Sequence, residues 1–441
     1  VRDVRPLASA PIANAGGETV TDASSSADRL RVGIVGGSIA GCAAAIALSR
    51  AGHDVALFER SRGALVGRGA GISMPVPTFR SLVAGDVLDA DFPHLLPTST
   101  PLVAPGAPDD RYGMTALAPA RNAIAMHWGD LWRALRRRVP DAIYHHGHTV
   151  DDARMVSAAA AMLHFEDGSA REFDLVIFAD GFQSLGRRLL FPDADVHYRG
   201  YVAWRGLLDE RYLSERAPLE GALTKVVYRD MPGHLVVYFV PGPAGSVAAG
   251  ERTVNWAAFV PVPAEALPDF LTDRSGQRHA HSLPPGSMRP EEEQRLAALV
   301  MAQLPPYYAA IIGATRDTFA QPIYSAEPPA YHRGRICLIG DAGAVVPPPT
   351  ASGVYRGMTN ALDLTAALGA GDDLDGALAT WDAAQTATGR RFITWGKQLE
   401  QALIWATPDL ARLDAAAVAA WWQRTAPPPP QSSYGAPSRG D

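Results

Sequence analysis

The sequence predicts an α/β fold: a doubly wound parallel sheet, interrupted by an inserted antiparallel β-sheet domain and finished by a helical C-terminal segment. Three observations predict it. Near the start, in RVGIVGGSIAGCAAAIALSR, a glycine turn joins a buried apolar run to a helix of small residues. Two later apolar runs, DLVIFAD and RICLIGD, each end on an acid followed by a turn and a helix. Between them lies a long stretch of aromatic and β-branched residues, the composition of half-buried strands.

The first unit reads as a strand (31–35), a helix (38–50) and a second strand (55–58) ending at Glu59. Its strands are continuous apolar runs, as in a parallel sheet covered on both faces, and the order is that of a βαβ unit. A glycine-rich loop, GALVGRGAGISMP, follows. Residues 91–120 hold many prolines and few helix signals. HWGDLWRALRRRVPD reads as a helix with Leu131, Leu135 and Val139 on one face. The stretch from Tyr144, with its EDGS turn, reads as a small antiparallel sheet returning to the strand DLVIFAD. YVAWRGLL, LTKVVYR, HLVVYFVP and VNWAAFVPV read as strands of a second domain. After Arg335 the chain returns to the first domain and then stays mostly helical.

The expected organisation is a discontinuous first domain (30–90, 121–197 and 323–370), a second domain (91–120 and 198–322) and C-terminal helices (371–426). Residues 1–29 and 427–441 lack periodicity and read as disordered. The 441 residues are 47% hydrophobic and 20% charged, with a net charge of −6. Neither a nucleic-acid nor a membrane partner is expected from that balance. No apolar run of about 20 residues is present. The N-terminal residues lack a leader pattern. Two cysteines, Cys42 and Cys337, each sit in an apolar run, which excludes a disulfide framework and suits a cytoplasmic protein. His145, His146 and His148 in YHHGHTV have no acidic partner at ligand spacing, so no metal is expected.

GGSIAG (Gly36, Gly37, Ser38, Ile39, Ala40, Gly41) has the form of a dinucleotide turn with serine at its middle glycine. The first glycine permits the tight turn. The middle position must be small to admit a pyrophosphate, and Gly41 lets helix and strand pack closely. The Ser38 hydroxyl could cap the helix or touch phosphate. Glu59, at the end of the next strand, can accept both hydroxyls of a ribose and would repel a 2′-phosphate.

These three segments, in this order, resemble the FAD-dependent aromatic hydroxylases, the class A flavoprotein monooxygenases related to p-hydroxybenzoate hydroxylase. GGSIAG, GYVAWRG and HSLPPG look most like the branch containing 2,6-dihydroxypyridine 3-hydroxylase. The resemblance implies a glutathione-reductase-type FAD-binding domain and a substrate-binding inserted sheet. It implies that Gly36, Gly37, Ser38, Ile39, Ala40, Gly41, Glu59, Arg60, Arg68 and Gly71 serve the FAD. Asp180 and Gly181 would serve both FAD and a transient NADH or NADPH. Gly340 and Asp341 would hold the ribityl or pyrophosphate side. Pro348 would line the flavin, and Ala351, Ser352 and Gly353 would offer N–H groups to its pyrimidine edge. Three positions depart from the family pattern: Ala344 stands for a histidine, Trp128 for an arginine, and Asn360 for an acid.

The implied reaction is hydroxylation of an electron-rich aromatic or N-heteroaromatic ring, with NAD(P)H and O2, through a flavin hydroperoxide. A flavin-dependent reductase or desaturase, or a catalytically silent flavin-binding partner, stays open at this stage, as does a homodimer. No Trp-x-Trp-x-Ile-Pro segment supports a halogenase. The substrate side is expected to use His281 as the base that draws a phenol towards phenolate, with Arg205 and Tyr201 beside it. Tyr228, Tyr238 and Trp256 are candidates for an aromatic pocket or for core packing.

Overall fold

The computed structural model describes residues 29–426 apart from 64, 66–68, 108 and 371–372. The expectations for the two termini therefore lie outside the described residues, Arg29 excepted, and so does Arg68. The chain runs β1 (Arg31–Val35), α1 (Ile39–Arg50), β2 (Asp54–Glu59), β3 (Gly71–Pro75), α2 (Val76–Ala84), β4 (Leu102–Ala104), β5 (Met114–Leu117), β6 (Ala123–His127) and α3 (Trp128–Arg136). It continues through β7 (Tyr144–His146), β8 (Val150–Met155), β9 (Ala161–Phe165), β10 (Ala170–Phe173), β11 (Leu175–Phe178), α4 (Leu185–Leu190), β12 (His197–Asp209), β13 (Leu223–Val227), β14 (His234–Val240) and β15 (Thr253–Pro261). Then come α5 (Leu267–Phe270), α6 (Pro290–Met301), α7 (Pro306–Ala314), β16 (Phe319–Ser325), β17 (His332–Arg333), β18 (Ile336–Leu338), α8 (Gly353–Ala370), α9 (Leu374–Glu400) and α10 (Ala415–Thr425).

The first sheet has the order β17-β18-β11-β1-β2-β7. All its pairs are parallel except β17 with β18. Its strands are apolar throughout because both faces are covered. On one face Val32, Ile34, Leu57 and Ile177 share a core with α1, α3 and α8. On the other, Phe58, Val176 and Phe178 pack with Leu163, Phe165 and Phe173 of the three-stranded sheet β10-β9-β8. Helices thus make up the cover on one face, and the small antiparallel sheet expected from the EDGS turn makes up most of the other. Small residues set the spacing of α1 and α8: a Cβ on Gly357 would come within 2.8 Å of the Ala40 Cβ.

The second sheet has the order β16-β12-β15-β14-β13-β4-β5, mostly antiparallel. The proline-rich stretch contributes β4 and β5 to its edge. The period-2 alternation of strands gives it two unlike faces. Its outer face buries Trp204, Trp256, Leu235 and Val237 against Leu296, Val300 and Ile311 of α6 and α7. Tyr228 belongs to that outer core, so of the three aromatic candidates Tyr228 and Trp256 are packing residues and Tyr238 alone faces inward. The inner face meets the β3–β6 ribbon and the turn of π-helix, Gln401–Trp405, that ends α9. Two bonds tie it there: Gly233 N–H to the Ile404 carbonyl at 2.9 Å, and His234 Nδ1 with the Leu403 carbonyl at 3.0 Å.

Candidate active site

Parallel registry brings the three motifs to one rim. Val35 pairs with Phe58 and with Phe178, and Phe178 pairs with Leu338. The residues that follow, Gly36, Glu59, Asp180 and Asp341, therefore emerge side by side at the carboxyl ends of the strands, where α/β sheets bind ligands.

The glycine turn is fixed by steric exclusion. Gly36 has φ +106°, and a Cβ there would lie 2.6 Å from the Ala179 carbonyl oxygen. A Cβ on Gly41 would lie 1.8 Å from the Gly36 oxygen. Neither position has room for a side chain. Gly37 differs: its N–H donates to Glu59 Oε2 at 2.8 Å, and its carbonyl accepts from Trp132 Nε1 and Tyr144 Oη, each at 3.0 Å. It holds the turn and has no free N–H for a phosphate. Ser38 stands at the helix N-cap but its side chain makes no cap bond. The first-turn N–H groups of Ile39, Ala40 and Gly41 lack intrahelical acceptors by construction. Glu59 is buried, with Oε1 accepting from Ser61 N–H at 2.8 Å, and each oxygen keeps a further lone pair for a diol. Arg60, just beyond, is exposed.

Asp180 Oδ2 accepts from Leu185 N–H at 2.7 Å, capping α4, while its Oδ1 is buried without any partner. Burial pushes this carboxyl upward, and the bonds from Ser184 and Leu185 oppose it. Gly181 follows with φ +82°. Burial also pushes Asp341 upward, opposed by the nearby cations Arg356 and Arg187. Gly340, at φ +62°, donates its N–H to Asn360 Oδ1 at 2.9 Å, and Asn360 Nδ2 donates to Gln385 at 2.7 Å. An acid at 360 would offer no donor to Gln385 Oε1, so Asn360 suits this buried chain.

Two arginines brace the rim, and sequence reasoning gave neither a role. Arg187 Nη1 donates to the carbonyls of Asp341 (2.8 Å) and Ala342 (3.1 Å), and Nη2 donates to Phe182, tying the two acidic turns together. Arg356 donates to the Ala344 carbonyl at 3.2 Å and to the Tyr331 hydroxyl at 3.0 Å. At Ala344, the neighbouring buried cation is thus supplied by α8. Trp128 packs on the glycine loop, where a Cβ on Gly69 would meet its side chain at 2.7 Å.

The proline segment forms a wall. Pro347 is buried against Gly396 of α9, whereas Pro348 is half-buried. Ala351 is exposed in the left-handed region, φ +53°. Its N–H already donates to Pro348 (2.9 Å), and Ser352 N–H donates to Thr350 Oγ1 (3.3 Å). Of the three N–H groups expected to face a ligand, Gly353 at the start of α8 is therefore the one left over.

The substrate-side residues separate. Arg205 lies on the inner face, with Nη2 donating to the Gly71 carbonyl at 2.9 Å and Nη1 to Gln321 at 3.4 Å; its Nε is buried and unpartnered. Gly71 N–H donates to Asn255 Oδ1 at 2.7 Å. Gly71 is thus a contact between the β3–β6 ribbon and the inserted sheet, its N–H already taken by Asn255. Tyr201 is fully buried and donates to Glu400 Oε1 at 2.6 Å, while Arg199 pairs with Glu400 Oε2 at 2.8 Å. Burial and the Glu400 charge hold its phenol far above the usual range. Tyr201 anchors β12 to the end of α9. Leu283 bridges to Ala320 at the edge of the sheet, so His281, two residues earlier, projects past that edge. It is exposed, edge-on to Phe182 at 5.7 Å and 3.3 Å from Gln183 Nε2. That places it over the Asp180–Gly181 turn, away from the inner face. His145 stacks on Phe58 at 5.2 Å.

Known proteins were compared with this chain. An NAD(P)-binding Rossmann-like family model matches residues 34–75, and an FAD binding domain-like model matches residues 198–325. The chain is 27% identical over 376 residues to the 2,6-dihydroxypyridine 3-monooxygenase of Paenarthrobacter nicotinovorans, covering 85% of this chain and 91% of that one. It is 27% identical over 362 residues to a salicylate hydroxylase of Pseudomonas putida, covering 77% of each. The solved 2,6-dihydroxypyridine-3-hydroxylase of Arthrobacter nicotinovorans superposes with a TM-score of 0.76 at 24% identity, covering 87% of this chain and 96% of that chain. Over most of its length the chain is similar to FAD-dependent aromatic monooxygenases. It has the mixed α/β fold of those hydroxylases, and no helix among its described residues is long and apolar enough to cross a membrane.

FAD is therefore the group to test against the rim, and the residues fit it. The orphaned Asp180 Oδ1 is a buried acceptor that needs a hydroxyl donor. Gly36 and Gly41 leave no room for a side chain at the turn, and Ser38 leaves its hydroxyl free of the helix. Missing from the sequence reading were Lys225 and Arg121. Lys225 in LTKVV is a lone cation inside an apolar strand, which is the signal that could have found it.

Proposed function

We propose that this protein hydroxylates an electron-rich aromatic or N-heteroaromatic ring, using FAD, NAD(P)H and O2. The single observation that carries the reading is the registry of β18, β11, β1 and β2, which gathers Gly36, Glu59, Asp180 and Asp341 on one rim beside the Pro348–Gly353 wall. In this reading residues 30–90, 121–197 and 323–370 form a doubly wound, glutathione-reductase-type FAD domain, and 91–120 with 198–322 form the substrate domain. The relatives' names supply the substrate type: a dihydroxypyridine, salicylate and an aminohydroxybenzoate. Two buried, unpaired cysteines suit a cytoplasmic location.

The residues divide the work. Glu59 takes the adenosine ribose, and the α1 N-terminus with Ser38 takes the pyrophosphate. Asp180 and Asp341 take hydroxyls further along the cofactor. When bound, FAD supplies hydride acceptance from NAD(P)H and activation of O2 for transfer of one oxygen atom. Pro348 and the Ala351–Gly353 turn exclude water and fix orientation. Arg205, held by Gly71 and Gln321, keeps a positive charge on the inner face that favours the phenolate form of a bound phenol. His281, with Gln183 and Phe182, serves the visiting nicotinamide cofactor.

The test is purified protein with added FAD, NAD(P)H and a panel of phenols and hydroxypyridines under 18O2. Bound flavin and one labelled oxygen in the product are expected. A reductase or desaturase would consume NAD(P)H with no label in the product, and a silent partner would bind flavin without turnover. Failure to bind flavin at all would overturn the reading.

A further inference from the structure

Cross-strand registry builds a second feature on the inner face of the inserted sheet. Arg205 pairs with Ala257, Ala257 with Val236, and Val236 with Lys225. These four form one row across β12, β15, β14 and β13, spanning about 14 Å at the usual strand spacing. The middle of the row is small and apolar, and each end carries a cation. Tyr238, two residues along from Val236, stands on the same face beside it.

The cations at the two ends differ in how they are held. Arg205 is tied down by the Gly71 carbonyl and Gln321. Lys225 is half-buried and has no hydrogen bond or ion pair among the described residues. Its electrostatic neighbour is another cation, Arg121, whose Nε is buried without a partner and which donates to Ser73. The Tyr238 hydroxyl also has no partner among the described residues. His234, on the same face of β14, is neutral: burial and Lys225 push it down to about 3. Among the described residues no carboxylate forms an ion pair with Lys225, Arg121 or Arg205. A partly desolvated cation with no counter-charge is unfavourable unless something binds it, and the adjacent pair Lys225 and Arg121 calls for an anion.

We propose that Lys225 and Arg121 form an anion subsite that selects substrates bearing a carboxylate, with the ring lying over Ala257 and Val236. This rests on the hydroxylase reading and sharpens it from aromatic rings in general to aromatic acids. The Tyr238 hydroxyl donates to the same anion. Burial pushes Lys225 down to about 8. Arg121, Arg205, Tyr238 and His234 are the other titratable or charged groups on or against this face. Arg121 and Arg205 stay charged and His234 stays neutral through that range, so affinity for the acid should weaken as pH rises through about 8 and Lys225 loses its charge.

The experiment uses matched probes: salicylate against phenol, and 6-hydroxynicotinate against 2-hydroxypyridine. Binding is read by calorimetry on the full chain, with FAD content measured separately. The acid of each pair should bind at least about tenfold more tightly than its neutral partner. Lys225→Met should erase that preference with FAD content unchanged, and Lys225→Arg should restore it. Equal binding of acid and neutral partner, no binding of either acid, or a preference that survives Lys225→Met would overturn the subsite. Calorimetry reads the preference whether or not flavin is bound. Absence of flavin would therefore sink the hydroxylase reading while the subsite is still decided by the acid preference.

Discussion

The cofactor rim and the inner face of the inserted sheet are built on opposite principles. The rim is held by backbone: glycines whose Cβ positions are already filled, carbonyls gripped by Arg187 and Arg356, and acids at strand ends. The inner face is held by side chains projecting from neighbouring strands, with Arg205 and Lys225 at the ends of an apolar row. A surface made of backbone tolerates almost no substitution and serves an unchanging ligand. A surface made of alternating side chains can change specificity one residue at a time without disturbing the fold.

That contrast is broken or sharpened by substitution. The largest effect is expected at the rim. Gly41→Ala would drive a Cβ into the Gly36 carbonyl, and flavin content of the purified protein should fall to near zero. Asp341→Ala should likewise lose FAD; full retention would remove that acid from the site. Next is the anchor between the two sheets' supports. Glu400→Ala leaves partly exposed Arg199 and buried Tyr201 unpaired and should cost about 1–3 kcal/mol in chemical denaturation. Tyr201→Phe should cost about 1 kcal/mol with kcat kept; a large loss of kcat at unchanged stability would return Tyr201 to catalysis.

A smaller effect is acid sensitivity. The folded state holds His234 near 3, below its unfolded value of about 6.5. The unfolded chain therefore takes up a proton first, and stability should fall as pH drops from about 6.5 towards 3. His234→Gln should flatten that part of the thermal-melting profile. The smallest effect is expected at His281. His281→Ala should raise KM for NAD(P)H a few-fold and leave the substrate KM alone. A change confined to the substrate KM would move His281 back to the ring.

The sequence by itself determined the rim. Gly36, Gly41, Glu59, Asp180 and Asp341 lie within or at the ends of short segments whose local rules, a tight turn or a strand ending on an acid, are written in consecutive residues. Even there, tertiary contacts decided which groups are free. Gly37 gives its N–H to Glu59, twenty-two residues away, and Ala351 and Ser352 spend theirs inside the turn. The inner face was decided by tertiary structure. Tyr201 and Arg205 share a face of β12, yet Glu400, from the far end of the chain, takes one while Gly71 and Gln321 hold the other. Trp256 and Tyr238 sit on adjacent strands and point opposite ways, because cross-strand pairing, which no local window contains, fixes which parity faces inward. For the same reason Lys225 looks like an interruption in an apolar strand until the register of four strands sets it in line with Arg205.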